Sequence, residues 1–143
     1  MNPSFIKEGS CSFWAKINEN GNTGWVVLTG DNSSYYLIAS TTSKDFYNSN
    51  VNGTIKYYID GEESRRPSFD NNWHYYCITG FDLSNWTMLK LNNYSNNYNC
   101  NINYSDFRLY STILSLEDIQ SLYNNAGYID RNNNFYAYEY IEK

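Results

Sequence analysis

Basic residues are scarce in this chain: 10 Lys and Arg stand against 15 Asp and Glu in 143 residues, a formal net charge of −5. A nucleic-acid partner needs a basic footprint to displace counterions, so the balance argues against that class, and against electrostatic docking on anionic membranes. Long apolar runs are also missing. No segment reaches the length of a transmembrane helix, and Met1-Asn-Pro-Ser-Phe-Ile-Lys lacks the apolar region of a signal peptide. Either the protein is not secreted by that route, or the chain is cut from something larger. There is one histidine, His74, and no CxxC pair, which leaves no ligand set for zinc. The 3 cysteines, Cys11, Cys77 and Cys100, are an odd number at irregular spacing and form no disulfide framework. Cys11 and Cys77 fall inside strand patterns and read as small buried hydrophobes in a reduced protein.

What the chain has in excess is aromatic surface. Aromatic residues make up 19%, with 16 tyrosines, 7 phenylalanines and 4 tryptophans, while charged residues reach only 17%. Tyrosine combines a flat apolar ring with a polar tip, which suits wet interfaces and sugar-like ligands. An A- and T-rich coding sequence would raise Asn, Tyr and Ile together, so composition alone does not assign that role. With 41% hydrophobic residues, the length predicts one domain, 1–143, with one core.

The organising stretch is Asp70-Asn-Asn-Trp-His-Tyr-Tyr-Cys-Ile-Thr-Gly80. Three turn-formers feed an aromatic and β-branched run, apolar on both faces, which predicts a strand at the centre of a sheet sandwich. Further strands are predicted over 10–17, 25–28, 35–39, 54–59, 86–91, 104–110 and 134–141. The segment 41–53 is either a long loop or a short edge strand. Asp60-Gly61 supplies the positive-φ pair of a tight hairpin, with Glu62 to Arg66 returning antiparallel until Pro67 stops the ladder. Within 104–110, alternation places Tyr104, Asp106, Arg108 and Tyr110 on one face and Phe107 and Leu109 on the other. Ser115-Leu-Glu-Asp118 is a variant capping box, opening a short helix with Leu116, Ile119, Leu122 and Tyr123 on one face. The fold class is therefore all-β: an antiparallel two-sheet jelly-roll sandwich with one short helix near 115–124. Its layers are expected to close over Phe13, Trp73, Cys77, Leu89 and Phe107.

Three stretches carry a family likeness: Ser12-Phe-Trp-Ala-Lys16, the Asp-Asn-Asn-Trp-His element, and Ser105-Asp-Phe-Arg-Leu-Tyr followed by Leu114 to Tyr123. They resemble concanavalin A-like jelly rolls of the laminin-G-like group, in the versions found in bacteriophage structural proteins and gut bacterial surface proteins. The resemblance spans about Ser10 to Tyr140, and implies framework roles for Phe13, Trp14, Trp73, His74, Asp106 and Arg108. Family members usually begin with a strand pair upstream of the Phe-Trp strand. Only nine residues precede Ser10 here, so that pair is expected to be missing, its edge covered by Phe135 to Ile141 or by a neighbouring chain. Family calcium sites gather several loop carboxylates. Asp31, Asp60 and Asp82 stand apart in this sequence, so neither metal nor other cofactor is expected.

Related jelly rolls include glycosidases, which set two carboxylates across a cleft, usually on one strand. No internal strand here carries such a pattern, and Glu62-Glu63 beside Arg65 and Arg66 reads as a solvated charge cluster. Five Asn-x-Ser/Thr triplets follow from the abundance of Asn and Ser. What remains is aromatic-plus-amide chemistry in the loops, where sugars stack C–H faces on rings and bond hydroxyls to planar side chains. The candidate glycan-binding residues are Tyr36, Tyr47, Tyr58, Arg65, Arg66, Asn93, Tyr94 and Tyr98. The expected function is a non-enzymatic glycan-binding or decoration module on a virion surface, of a bacteriophage tail or capsid, attaching to host-surface glycans. The alternatives are a purely structural domain that docks to itself or another virion protein, and a glycan hydrolase.

Overall fold

The computed structural model describes residues 2–18, 24–32, 34–41, 45–91, 101–125, 127–129 and 135–137. It is an all-β antiparallel sandwich with one short helix. Its larger sheet has the order β6-β5-β7-β1-β9, from β1 (Gly9–Asn18), β5 (Asn52–Ile59), β6 (Glu62–Glu63), β7 (Trp73–Asp82) and β9 (Asn101–Tyr110). The facing sheet runs β4-β3-β2-β8, from β2 (Gly24–Thr29), β3 (Tyr36–Thr41), β4 (Tyr47–Ser49) and β8 (Lys90–Leu91).

The aromatic run does form the middle strand of the larger sheet. Every residue of β7 from Tyr75 to Phe81 is buried, as a strand covered on both faces must be. On one face Tyr76 and Ile78 join Cys11, Phe13, Ala15 and Ile17 of β1, with Leu28 and Leu37 of the facing sheet closing the core. On the other face Trp14 and Tyr75 lie beneath the helix, α1 (Leu116–Asn125), through Leu122 and Tyr123. Trp73 is packed there too, on the helix side. Its expected place in the inter-sheet core, and that of Cys77, is thus corrected by strand parity: both share a face with Tyr75, not with Tyr76.

The helix begins as its capping box requires. The Asp118 N–H donates to Ser115 Oγ (3.1 Å), and the Ser115 N–H donates to Asp118 Oδ2 (3.2 Å). Ile119 is fully buried, whereas Leu116, expected on the same face, is 49% exposed. Ser10 ties the crossover before the helix to β1: its hydroxyl donates to Thr112 O (2.8 Å) and accepts from the Leu114 N–H (3.0 Å).

Four other expectations are revised. A strand over 86–91 is reduced to β8. The Trp86 N–H closes a turn on Leu83 O (2.9 Å), and the Thr87 N–H donates to the Asp31 carboxylate, so these groups are unavailable to a ladder until Lys90. Trp86 is instead a fully buried core residue, its Nε1 donating to Asn50 O (2.7 Å). Tyr104 packs against the core with Phe107 and Leu109, because Asp106 takes a positive φ of 54° and inserts a bulge opposite β1 that resets the alternation. The hairpin return is paired over only two residues, Glu62 and Glu63, with one further bond from the Ser64 N–H to Tyr57 O (2.9 Å). Finally, β11 (Phe135–Ala137) pairs with β10 (Gly127–Ile129) in a separate two-stranded sheet rather than extending a main one.

Candidate functional site

The turn at Asp60-Gly61 has φ of 53° and 82°, as the sequence predicts, and brings Glu62 back beside Ile59. Just past this return, the Ser64 N–H still donates to Tyr57 O (2.9 Å), and Arg65 then meets the chain entering β4. The Phe46 N–H donates to Arg65 O (2.7 Å), and Arg66 Nε donates to Asp45 Oδ1 (2.8 Å). Phe46 stacks face to face on Tyr57, with ring centroids 4.4 Å apart and planes 4° from parallel. The Tyr57 hydroxyl is held by Asn48 Nδ2 at 3.1 Å. These contacts leave an open cleft of about 270 Å³ along the outer margin of β5.

Phe46, Tyr57 and Ile55 give this cleft its apolar lining, and Lys56, Glu63 and Arg65 its charges. Among the described residues, none of those three charged groups is in an ion pair, whereas Asp45 is committed to Arg66. The guanidinium of Arg66 beside Asp45 holds that carboxyl below its ordinary range. A glycosidase acid needs its pKa raised, so the shift runs the wrong way for proton donation. The arrangement can grip a ligand through ring contact and charge-assisted hydrogen bonds.

Only part of the predicted set meets here. Arg65 lines the cleft, and Arg66 braces it through Asp45. Tyr36 and Tyr47 meet edge to face at 5.8 Å, on the side of β4 turned away from the Phe46–Tyr57 stack. Tyr58 is half-buried on the outer face of β5, opposite Cys77 of β7. Asn93, Tyr94 and Tyr98 lie outside the described residues. The sequence reading left Lys56, Glu63 and Ser64 out of the site, and Asp45 with them. The turn signal at Asp60-Gly61 places 56 and 63 on neighbouring strands and could have paired them, but nothing local brings Asp45 to that edge.

The framework residues have defined surroundings. Phe13 stacks on Tyr76 (5.5 Å) and Phe107 (6.0 Å) in the core, and Trp14 stacks on Tyr123 (5.8 Å) under the helix. Lys16 Nζ lies 5.7 Å over the Trp73 ring. His74 is flanked by Asp60 and Asp70, and Arg108 Nε donates to Asp106 Oδ1 at 3.0 Å. Cys11 and Cys77 are buried free thiols on opposite faces of adjacent strands, and burial pushes Cys77 up to about 12. Among the described residues no cluster of three or more His, Cys, Asp or Glu could hold a metal ion, and no helix is long and apolar enough to cross a membrane.

No protein-family model and no curated protein matches the sequence. Among solved structures, the chain is similar to the binding domain of botulinum neurotoxin serotype D/C VPI 5993, at a TM-score of 0.47 and 16% identity, over 91% of this chain and 40% of that one. The serotype C1 binding domain gives 0.46 and 15%, over 90% and 40%. A structure of botulinum neurotoxin type C, whose cell entry is described as dependent upon interaction with two ganglioside molecules, gives 0.48 and 15%, over 86% and 37%. The chain spans about two fifths of the length of these structures. A likeness this loose carries no inference about ligand or partner.

Proposed function

We propose that this chain is a non-catalytic saccharide-binding module displayed on a virus particle, of a bacteriophage tail or capsid, that attaches it to surface glycans of the host. The observation that carries the binding half is the cleft beside β5. A rigid Phe46–Tyr57 stack lies beside Lys56, Glu63 and Arg65, none of them in an ion pair among the described residues. A sugar offers C–H faces to such rings and hydroxyls to such charges. The particle setting is supported by the resemblance of the Phe-Trp, Trp-His and Asp-Phe-Arg segments to phage jelly rolls. The test is a glycan array and a pulldown on bacterial cell-wall polysaccharide with the folded chain. Binding that Arg65→Ala weakens roughly tenfold supports the reading, as expected for a lost charged hydrogen bond. No retention on either surface removes it.

A second reading has its own observation. β6 pairs with β5 only at Tyr58 and Ile59, so among the described residues Asn52 to Lys56 present an open strand edge. Such an edge can accept a strand from another copy or from a neighbouring virion protein. Sedimentation showing a strict monomer at high concentration counts against pairing between copies.

A further inference from the structure

A second depression, of about 210 Å³, lies between the β5–β6 turn and the last turns of α1. It is lined by Asp60, Gly61, Glu62, Gln120, Tyr123 and Asn124, none of which borders the β5 cleft. We propose that this depression is a second saccharide site, built for one neutral sugar ring. The proposal rests on the reading of the chain as a saccharide-binding module.

The floor and wall are preorganised. Asp60 is fixed by three bonds: its N–H donates to Tyr75 O (2.8 Å), its Oδ1 accepts from the Tyr75 N–H (2.8 Å), and its Oδ2 meets His74 Nδ1 (2.7 Å). The Tyr123 ring is backed by Trp14 at 5.8 Å and Tyr75 at 6.1 Å, so the wall it forms is held by two buried aromatics. A ring so supported loses little side-chain entropy when a sugar packs on it.

The rim selects the ligand. Gln120 commits one amide hydrogen to a long bond to Gly61 O (3.4 Å), and among the described residues its carbonyl and second hydrogen take no other side-chain bond. Asn124 and Glu62 are exposed and, among the described residues, in no side-chain hydrogen bond. Two amides that both donate and accept match hydroxyls, which also do both. No Lys or Arg lines the depression; the Asp60 charge is met by the His74 ring it bonds, and the Glu62 carboxylate at the rim, in no ion pair among the described residues, disfavours a carboxylated or phosphorylated sugar. A metal ion is poorly served, because both oxygens of Asp60 already accept hydrogen bonds and Glu62 is the one carboxylate left over.

The test is an amide NMR titration of the full chain with the methyl glycosides of glucose, galactose and mannose, and with glucuronic acid as the anionic comparator. The expected result is a saturable shift at Gly61, Glu62, Gln120 and Asn124 with at least one neutral glycoside, and none there with glucuronic acid. The double variant Gln120→Ala/Asn124→Ala changes two exposed side chains, so it keeps the spectrum of a folded protein, and it weakens that binding by roughly tenfold or more. Shifts confined to Phe46, Ile55–Tyr57 and Glu63–Arg65, with none at Gly61, Glu62, Gln120 or Asn124, overturn the second site while leaving the first reading standing. Equal response to glucuronic acid overturns the neutral-ring assignment. No response to any saccharide, here or on the glycan array, overturns both.

Discussion

The His74 imidazole bridges two acidic side chains that belong to different turns: Nδ1 lies 2.7 Å from Asp60 Oδ2 and Nε2 lies 2.8 Å from Asp70 Oδ2. Asp60 heads the β5–β6 turn, and Asp70 heads the turn that feeds β7. One ring thereby clamps both turns to the start of the central strand, and fixes a wall of the helix-side depression.

This clamp titrates. The hydrogen bond to Asp60 is the largest influence on His74; burial opposes it, and the bonds and charge of Asp70 add to it, raising the pKa from 6.5 to about 9. For Asp70, burial is the largest influence and acts upward, but its bonds from His74 and Asn72 outweigh it and leave the carboxyl below 3.8. A group whose pKa is raised by folding stabilises fully below its unfolded value. That contribution is lost as pH climbs from about 6.5 through about 9. Wild-type unfolding free energy should therefore fall by on the order of 1–3 kcal/mol across that window. In His74→Gln the fall between about pH 6.5 and 8 should disappear, leaving only the decline that begins near pH 8.5, where the unfolded chain ionises Cys11 and Cys77 and the folded one does not. Chemical denaturation at a series of pH values reads both, and parallel curves for the two proteins would show that the clamp is not what titrates.

Gly53, paired with Phe81, and Gly80, within the adjoining irregularity of the β5–β7 ladder, have φ of 106° and 83°. A Cβ on Gly80 would drive into the carbonyl oxygen of Thr54, and one on Gly53 into that of Gly80. Neither neighbour is a flexible side-chain tip, so the backbone itself would have to move. Gly80→Ala should cost about 2–4 kcal/mol, from positive-φ strain together with the clash. The turn glycine Gly61 is no fair control, because it is buried and also has positive φ. Lys56→Ala, on the neighbouring strand opposite Thr79 and with an exposed side chain, should stay within about 0.5 kcal/mol. Urea midpoints at constant slope measure the difference.

The fold was legible wherever a short stretch decided its own conformation. Asp60-Gly61 demanded a tight turn, Ser115 and Asp118 demanded a helix start, and the run from Trp73 to Thr79 could only be a covered strand. Legibility failed where a distant group intervened. Asp31 captures the Thr87 N–H from 56 positions away in sequence, which shortens the strand expected at 86–91. At Asp106 a single positive φ moves Tyr104 to the other face, and Asp is only permissive of that conformation. The candidate site suffered similarly. Phe46 and Arg65 were visible as an aromatic and a cation in loops, but their meeting over Tyr57 depends on one sheet closing on the other. The helix-side depression was invisible, because it exists only once α1 docks against the β5–β6 turn.

Ser115 offers a test of how firmly that docking depends on the helix start. Its hydroxyl caps the Asp118 N–H, so Ser115→Ala should destabilise by about 1 kcal/mol, and Ser115→Asp, which keeps an acceptor, by much less. Helix fraying would release Tyr123 from Trp14. The near-ultraviolet circular dichroism of the aromatic stack should then weaken in Ser115→Ala at temperatures below the main transition. A cap loss that leaves this signal intact until global unfolding would mean that Ile119 alone anchors the helix.

The bulge at Asp106 poses a choice between backbone and charge. Its side chain pairs with Arg108 at 3.0 Å, but the Arg108 side chain is 41% exposed, and such pairs contribute roughly 0–1 kcal/mol. The left-handed backbone is the larger item: a residue with an ordinary Cβ pays about 1–2 kcal/mol there, and a β-branched one more. Asp106→Gly removes the pair while freeing the backbone, so it should change stability by less than about 1 kcal/mol. Asp106→Val removes the same pair and adds strain, and should cost about 2 kcal/mol or more. Thermal and urea unfolding of the two variants separates the causes. If Gly and Val are equally damaging, the charge pair with Arg108 holds the bulge. If Val alone is damaging, the local conformation holds it, and Tyr104 faces the core because the chain turns over at this one residue.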